Sequence, residues 1–326
     1  MSRKIFVWLL AIFLVATVSF AEAQQSRKIP RIGYVSGGAD PDSAQVEAFR
    51  QGLRDLGYIE GENVVVEFRS AEGKLDRISG LVAELVQLKV DLFVVTFLTA
   101  IRAAKQATKT IPIVMLSNAD PVASGLVDSL ARPGGNITGL STLDRELSGK
   151  RVELFKEAVP AISRVGVLWV NAPGPLISFK EYETAARALK IPLQSLEVRG
   201  PKPDFEGAFQ AAAKGRVSAL ITISNSLINR YLKQIPELAI KNRLPSMYQG
   251  GDWVEAGGLM SYSANDLENA RRAAYYVDRI LKGTKPADLP VERPTKFEFI
   301  INLKTAKQIG VTIPPNVLMR ADRVIR

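Results

Sequence analysis

Neither histidine nor cysteine occurs anywhere in the 326 residues, so any chemistry must come from hydroxyls, amides, carboxylates, lysines and tyrosines. Without His the commonest general base and transition-metal ligand is missing, and no Ser-His-Asp or Cys-His site can be built. Without Cys there is no disulfide, thiolate metal site or thiol nucleophile. What recurs instead is a small polar group directly after an apolar, strand-like run. These groups are Ser36-Gly37-Gly38, Thr96, Ser117 and Asn118 with Asp120-Pro121, Asn171, Ser224-Asn225, and Tyr248-Gln249. Together with exposed backbone N–H groups they can hydrogen-bond the carboxylate, amine or hydroxyls of a small polar ligand. They are poorly suited to breaking bonds.

Each has a plainer reading. Ser, Asn and Asp at strand–helix junctions also serve as helix N-caps, and glycine after a strand is ordinary turn chemistry. Tyr248 and Trp253 fit a cleft or a core, whereas Tyr34 and Trp169, inside apolar strands, read as core. An exported enzyme on the same scaffold would have to use carboxylates such as Asp120 or Asp252. Gly33-x-x-x-Gly37-Gly38 is not a dinucleotide fingerprint, and neither a phosphate loop nor a G-x-S-x-G elbow occurs. No cofactor and no metal are expected.

The elements that position these residues alternate along the chain. Strand patterns fall at 29–35, 63–69, 90–95, 111–116, 136–141, 164–170, 194–198, 217–223, 245–248 and 297–302. Helical stripes fall between them, the first placing Val46, Phe49, Leu53 and Leu56 on one face. Helical sequence runs on to Lys241, although Pro236 must start a new helix or kink this one. Such βαβα order, repeated, predicts an α/β protein of two doubly wound parallel-sheet lobes with helices on both faces. The length suits about two domains of ~150 residues. In open parallel sheets ligands sit beyond the carboxyl ends of the strands, which is where the polar groups fall.

The N-terminus reads as a secretory signal peptide over residues 1–23: Ser2-Arg3-Lys4, an apolar run from Ile5 to Phe20, and Ala21-Glu22-Ala23 before Gln24. The alternative, an uncleaved anchor, requires a longer apolar run. No Cys stands at the cleavage point, so the product would be a freely diffusing periplasmic protein and not a lipoprotein. The formal charge is +10, or +9 once Arg3, Lys4 and Glu22 are removed. The basic residues are scattered beside acids, as in Lys150-Arg151 before Glu153, which reads as a solvated surface and not a nucleic-acid site. A two-lobe transcription regulator would need a DNA-reading helix-turn-helix where the signal peptide stands.

Several stretches resemble the ABC-transporter substrate-binding protein family that includes tryptophan- and tyrosine-binding members. They are Ala48-Phe49-Arg50-Gln51-Gly52-Leu53-Arg54-Asp55-Leu56-Gly57-Tyr58, Asp120-Pro121-Val122-Ala123-Ser124-Gly125-Leu126-Val127 and Ala131-Arg132-Pro133-Gly134-Gly135-Asn136-Ile137-Thr138-Gly139. Glu255-Ala256-Gly257-Gly258-Leu259-Met260-Ser261-Tyr262, Pro294-Thr295-Lys296-Phe297 and Asn302-Leu303-Lys304-Thr305-Ala306 continue the match, which runs from about Arg31 to the C-terminus. The resemblance implies a type I periplasmic-binding-protein fold, with two lobes, a hinge of three crossings and a cleft that closes on a ligand. It also implies an inner-membrane permease and its ATPase as partners, with the receptor acting as a monomer. The lobes are expected at 28–141 plus 259–290 and at 142–258 plus 291–326, with hinges near Ser141, Gly258 and Pro290. The ligand implied is an amino acid or related small carboxylate. Its carboxylate would lie on backbone N–H groups near Ser36 and Ser117, and its amino group near Asp120. Two positions depart from the family pattern. Phe97-Leu98-Thr99 replaces a small Gly-Thr-Pro loop, and Ala119 stands where Gly is common.

Overall fold

The computed structural model describes residues 28–326 apart from 38–39, 73, 118, 143–146, 201 and 226. The expected signal peptide at 1–23 and the candidate Asn118 therefore lie outside the described residues. Among the described residues no helix is long and apolar enough to cross a membrane.

The first sheet is built from β1 (Arg31–Ser36), β2 (Val65–Ser70), β3 (Leu92–Thr96), β4 (Ile113–Ser117) and β5 (Ile137–Ser141). Its order is β2-β1-β3-β4-β5, and every pair is parallel. β3 reads Leu-Phe-Val-Val-Thr and buries all but its last residue, the continuous apolar run required when helices cover both faces. On one face pack α1 (Ala44–Asp55), through Val46, Phe49 and Leu53, and a helix from much later in the chain, Asp266–Leu281, through Ala270, Ala273, Ala274 and Val277. On the other pack α2 (Ile78–Gln87) and α3 (Leu98–Ala107), through Ile78, Val82, Leu85, Ile101 and Ala104. Gly52 lets α1 approach the late helix closely: a Cβ there would lie 2.6 Å from the Arg271 carbonyl oxygen and 2.9 Å from Ala274 Cβ.

The second sheet holds β6 (Val165–Val170), β7 (Leu193–Val198), β8 (Ala219–Thr222), β9 (Ser246–Tyr248), β10 (Met260–Ala264), β11 (Phe297–Asn302) and β12 (Arg323–Ile325). Its order is β12-β11-β10-β9-β8-β6-β7. Around it run α4 (Ser148–Ala158), α5 (Pro173–Ala188), α6 (Phe205–Lys214), α7 (Gln234–Lys241), α8 (Gly251–Glu255), α10 (Leu303–Ile309) and α11 (Pro315–Leu318); the late helix on the first sheet is α9. One core contains Val152, Phe155, Trp169, Phe179, Tyr182 and Ala306, and another contains Phe205, Phe209, Ile235, Leu238, Tyr248 and Trp253. The α/β architecture of two lobes is thus present.

Three details differ from expectation. β10 pairs in parallel with β9 and antiparallel with β11, so residues 260–264 belong to the second sheet and not to the first lobe, where 259–290 was expected. Main-chain pairing on both sides of β10 decides this, and the chain crosses only where Asn265 caps α9 by accepting from Glu268 N. The return crossing also comes later than Pro290. Glu292 still joins β5, donating to the Gly139 carbonyl at 3.0 Å while its own carbonyl accepts from Ser141 N at 3.0 Å. Finally, the helical run ending at Lys241 splits into a 3-10 turn, Ile228–Tyr231, and α7. Pro236 sits in the first turn of α7, where the missing N–H costs nothing.

Candidate functional site

In the first sheet the strand order reverses between β1 and β3, and the helices that follow them, α1 and α3, lie on opposite faces. A crevice outside the carboxyl ends of these two strands is where ligands bind in such sheets. Ser36 ends β1 and is buried, its carbonyl accepting from Ala71 N at 2.9 Å. Gly37 follows. A Cβ on Gly37 would lie 2.5 Å from Phe97 Cε1, so the Phe97 ring covers this glycine. Thr96, half-buried at the end of β3, reaches the Val35 carbonyl through Oγ1 at only 3.5 Å.

Phe97 has φ 61° and ψ 150°, a region that is almost exclusively glycine's and costs another residue ~1–3 kcal/mol. It is held there from both sides. Its N–H donates to the Leu116 carbonyl at 3.1 Å, and its carbonyl accepts from Ile101 N at 3.2 Å. The Phe97 side chain is half-buried and packs on the core beneath α3.

The other first-lobe candidates are bound into their own loop. Ser117 Oγ accepts from Ala119 N at 3.1 Å and lies 3.2 Å from the Ala119 carbonyl, to which Ser141 Oγ donates at 2.9 Å. Asp120 Oδ1 accepts from Val122 N at 2.9 Å and Ala123 N at 3.0 Å. This is turn-capping by an Asp side chain, close to the helix N-cap alternative, but in a segment that forms turns and no helix.

In the second sheet Asn171 is exposed after β6, and its Nδ2 donates to Glu197 Oε1 at 3.3 Å. Asn225, beyond β8, accepts through Oδ1 from Leu227 N at 2.8 Å and Ile228 N at 3.0 Å. Its Nδ2 is buried and has no hydrogen-bond partner. Ser224 N donates to Gln249 Oε1 at 2.8 Å, and Gln249 Nε2 donates to the Tyr182 hydroxyl at 3.2 Å. Arg151 Nη1 reaches the same hydroxyl at 3.3 Å, while Arg151 Nε donates to the Tyr262 carbonyl at 2.7 Å. This buried chain of contacts ties α4, α5, β10 and the ends of β8 and β9 together.

Two residues sit otherwise than the sequence suggests. Tyr248 is a core residue: it is wholly buried and stacks on Trp253 with ring centroids 5.1 Å apart and planes 7° from parallel. Desolvation pushes its hydroxyl pKa up. Arg151, read as part of a solvated surface, is also wholly buried; only its neighbour Lys150 pairs outward with Glu153, at 3.1 Å. The missed signal was helical spacing, because Arg151 lies on the stripe of Ser148, Phe155 and Ala158 that faces the core. Asp252, in the first turn of α8, is exposed and accepts from Trp253 N at 3.0 Å. Trp169 is core as expected, stacked on Phe179 at 4.9 Å, with its indole N–H on Ser195 Oγ at 2.8 Å.

Among the described residues no group of three or more His, Cys, Asp or Glu could hold a metal ion. The strand ends of the two sheets carry amides and hydroxyls, and those of the first sheet add one aromatic ring.

Comparison with known proteins places this geometry. A tyrosine-binding protein of Clostridioides difficile is 27% identical over 277 residues, covering 81% of this chain and 76% of that protein. A conserved domain protein of Vibrio cholerae has a crystal structure 28% identical, with a TM-score of 0.83 over 91% of this chain and 100% of that one. An ABC domain from Streptococcus pneumoniae, solved in complex with L-Trp, is 25% identical with a TM-score of 0.82, covering 91% and 99%. The family model described as ABC transporter substrate binding protein matches residues 34–325, nearly everything the structure describes, and the chain belongs to that family.

Proposed function

We propose that this chain is an exported receptor that closes two lobes around an amino acid or related small carboxylate and delivers it to the permease and ATPase of an ABC importer. The observation that carries the ligand class is the partnerless, buried Nδ2 of Asn225, a donor at a strand end where a ligand carbonyl or carboxylate oxygen can accept. Backbone N–H groups near Ser36 would supply further donors, whereas the Ala119 N–H beside Ser117 is already taken by Ser117 Oγ. The carboxylate of Asp120 adds negative charge that favours a ligand ammonium, although its Oδ1 already serves its own turn. The names of the tyrosine-binding relative and the L-Trp complex support an amino acid.

The lobes we assign are 28–141 with 266–292, and 148–264 with 297–326, following sheet membership. After cleavage of residues 1–23 the receptor would diffuse in the periplasm as a monomer and bind its ligand without chemical change. Thermal-shift and calorimetric titration with a panel of amino acids and small carboxylates tests this. A ligand at a hundredfold excess over Kd should add about 2.7 kcal/mol of stability. No response across the panel would overturn the ligand class. Mass spectrometry of the bound ligand before and after incubation should find it unaltered; turnover would favour the carboxylate-dependent enzyme.

A further inference from the structure

The carboxyl ends of β1 and β3 carry an unusual pair. Phe97 occupies backbone geometry natural to glycine, at φ 61° and ψ 150°, and Gly37 occupies a position where even a Cβ would strike the Phe97 ring, 2.5 Å from Cε1, 2.8 Å from Cδ1 and 2.9 Å from Cζ. Each residue accounts for the other. A glycine at 97 would remove the backbone strain, and any larger residue at 37 would displace the ring. The pair therefore holds an aromatic ring at the reversal of strand order, which is the ligand position in sheets of this kind. The side chain packs on the core beneath α3 but is only half-buried, which leaves part of the residue exposed. Leu98 beside it is also half-buried, giving an apolar surface among otherwise polar strand ends. Strained non-glycine backbone held by its surroundings is characteristic of ligand clamps.

We propose that Phe97 is the specificity-determining residue of the first lobe: its ring, set by Gly37, forms the wall on which the ligand's side group packs, which selects amino acids with apolar side chains over polar or charged ones. This rests on the amino-acid reading of the site.

Competition titrations on the full mature receptor and its Phe97→Gly variant, with leucine, phenylalanine, alanine, serine, aspartate and lysine as probes, test it. Wild type should rank leucine and phenylalanine above serine, aspartate and lysine. Phe97→Gly should weaken those two by about ten-fold or more, the scale of losing burial for one apolar side chain, and leave alanine within about two-fold. Gly37→Ala, which moves the ring without removing it, should impair leucine and phenylalanine binding in wild type and have no further effect in Phe97→Gly. That lack of additivity is the signature of a shared contact. The melting temperature of each ligand-free variant is the control. A Phe97→Gly receptor that melts lower and keeps the wild-type ranking would make the ring a core plug and overturn the assignment. So would a wild type that prefers aspartate, lysine or serine. A wild type that answers to none of the six probes would overturn this assignment; a response to another amino acid or carboxylate of the wider panel would leave the receptor reading standing without it.

Discussion

The two lobes present their strand ends by opposite means. In the first, the polar side chains turn back onto their own loop, as Ser117 and Asp120 do, and the surface left over is a glycine under an aromatic ring. In the second, the strand ends are braced from behind by a buried side-chain relay from Arg151 through Tyr182 to Gln249 and the Ser224 N–H. One lobe fixes its edge by backbone conformation and close packing, the other by hydrogen bonds that cannot be replaced by water. Substitutions of equal size should therefore differ in effect between them.

The largest effect should come from Arg151→Met. It removes a wholly buried cation and leaves the Tyr262 carbonyl without its 2.7 Å donor. Leaving buried acceptors without their charged donor costs about 1–3 kcal/mol. Scanning calorimetry should show the second lobe melting earlier and the first lobe unchanged. Equal loss in both lobes would mean that they unfold as one unit and would break the comparison.

Gly52→Ala should act on the first lobe alone. The added methyl meets backbone at 2.6 Å, and such overpacking costs about 1–3 kcal/mol, offset in part by the better helix propensity of Ala, ~1 kcal/mol. A net loss of about 1 kcal/mol in the first-lobe transition is expected. A stabilised variant would show that α1 and α9 can separate freely.

The smallest effect lies at the return crossing. Glu292 pairs with Arg272 through both carboxylate oxygens, at 2.7 and 2.9 Å. The guanidinium holds the Glu292 pKa below the usual glutamate range, with burial opposing it. A lowered folded-state pKa means that the stabilisation is complete above the unfolded value and fades as pH falls through the folded one. Both side chains remain more than a third exposed, so the contribution is about 0.5–1 kcal/mol. Glu292→Gln should flatten the acid limb of the stability profile by that amount. An unchanged limb would remove this pair from the account.

Much of this arrangement can be read before any coordinates. Strands buried on both faces, such as β3 and β4, have unbroken apolar runs, and α1 shows its stripe at Val46, Phe49 and Leu53, while Leu56, read onto the same face, lies past the helix end and is exposed. Elements of three to five residues, α8, α11 and β12, are shorter than the period that would reveal them. The placement of β10 depends on partners from β9 and β11, and strand pairing across such distances leaves no local mark. At the site, spacing locates the strand ends correctly but not what their side chains do. Asn225 Oδ1 and Asp120 Oδ1 cap their own turns, Tyr248 turns inward, and the Phe97 ring lies where it does because Gly37, just after the neighbouring strand β1, has no Cβ.

The indole rings carry a consequence for spectroscopy. Trp169 and Trp253 both pack against the second sheet, one under Phe179 and the other under Tyr248, and the remaining tryptophan, Trp8, precedes the expected cleavage site. With residues 1–23 cleaved as expected, tryptophan emission would originate wholly from the second lobe. A denaturation curve followed at tryptophan wavelengths reports that lobe alone, and its disagreement with circular dichroism would measure how independently the halves come apart.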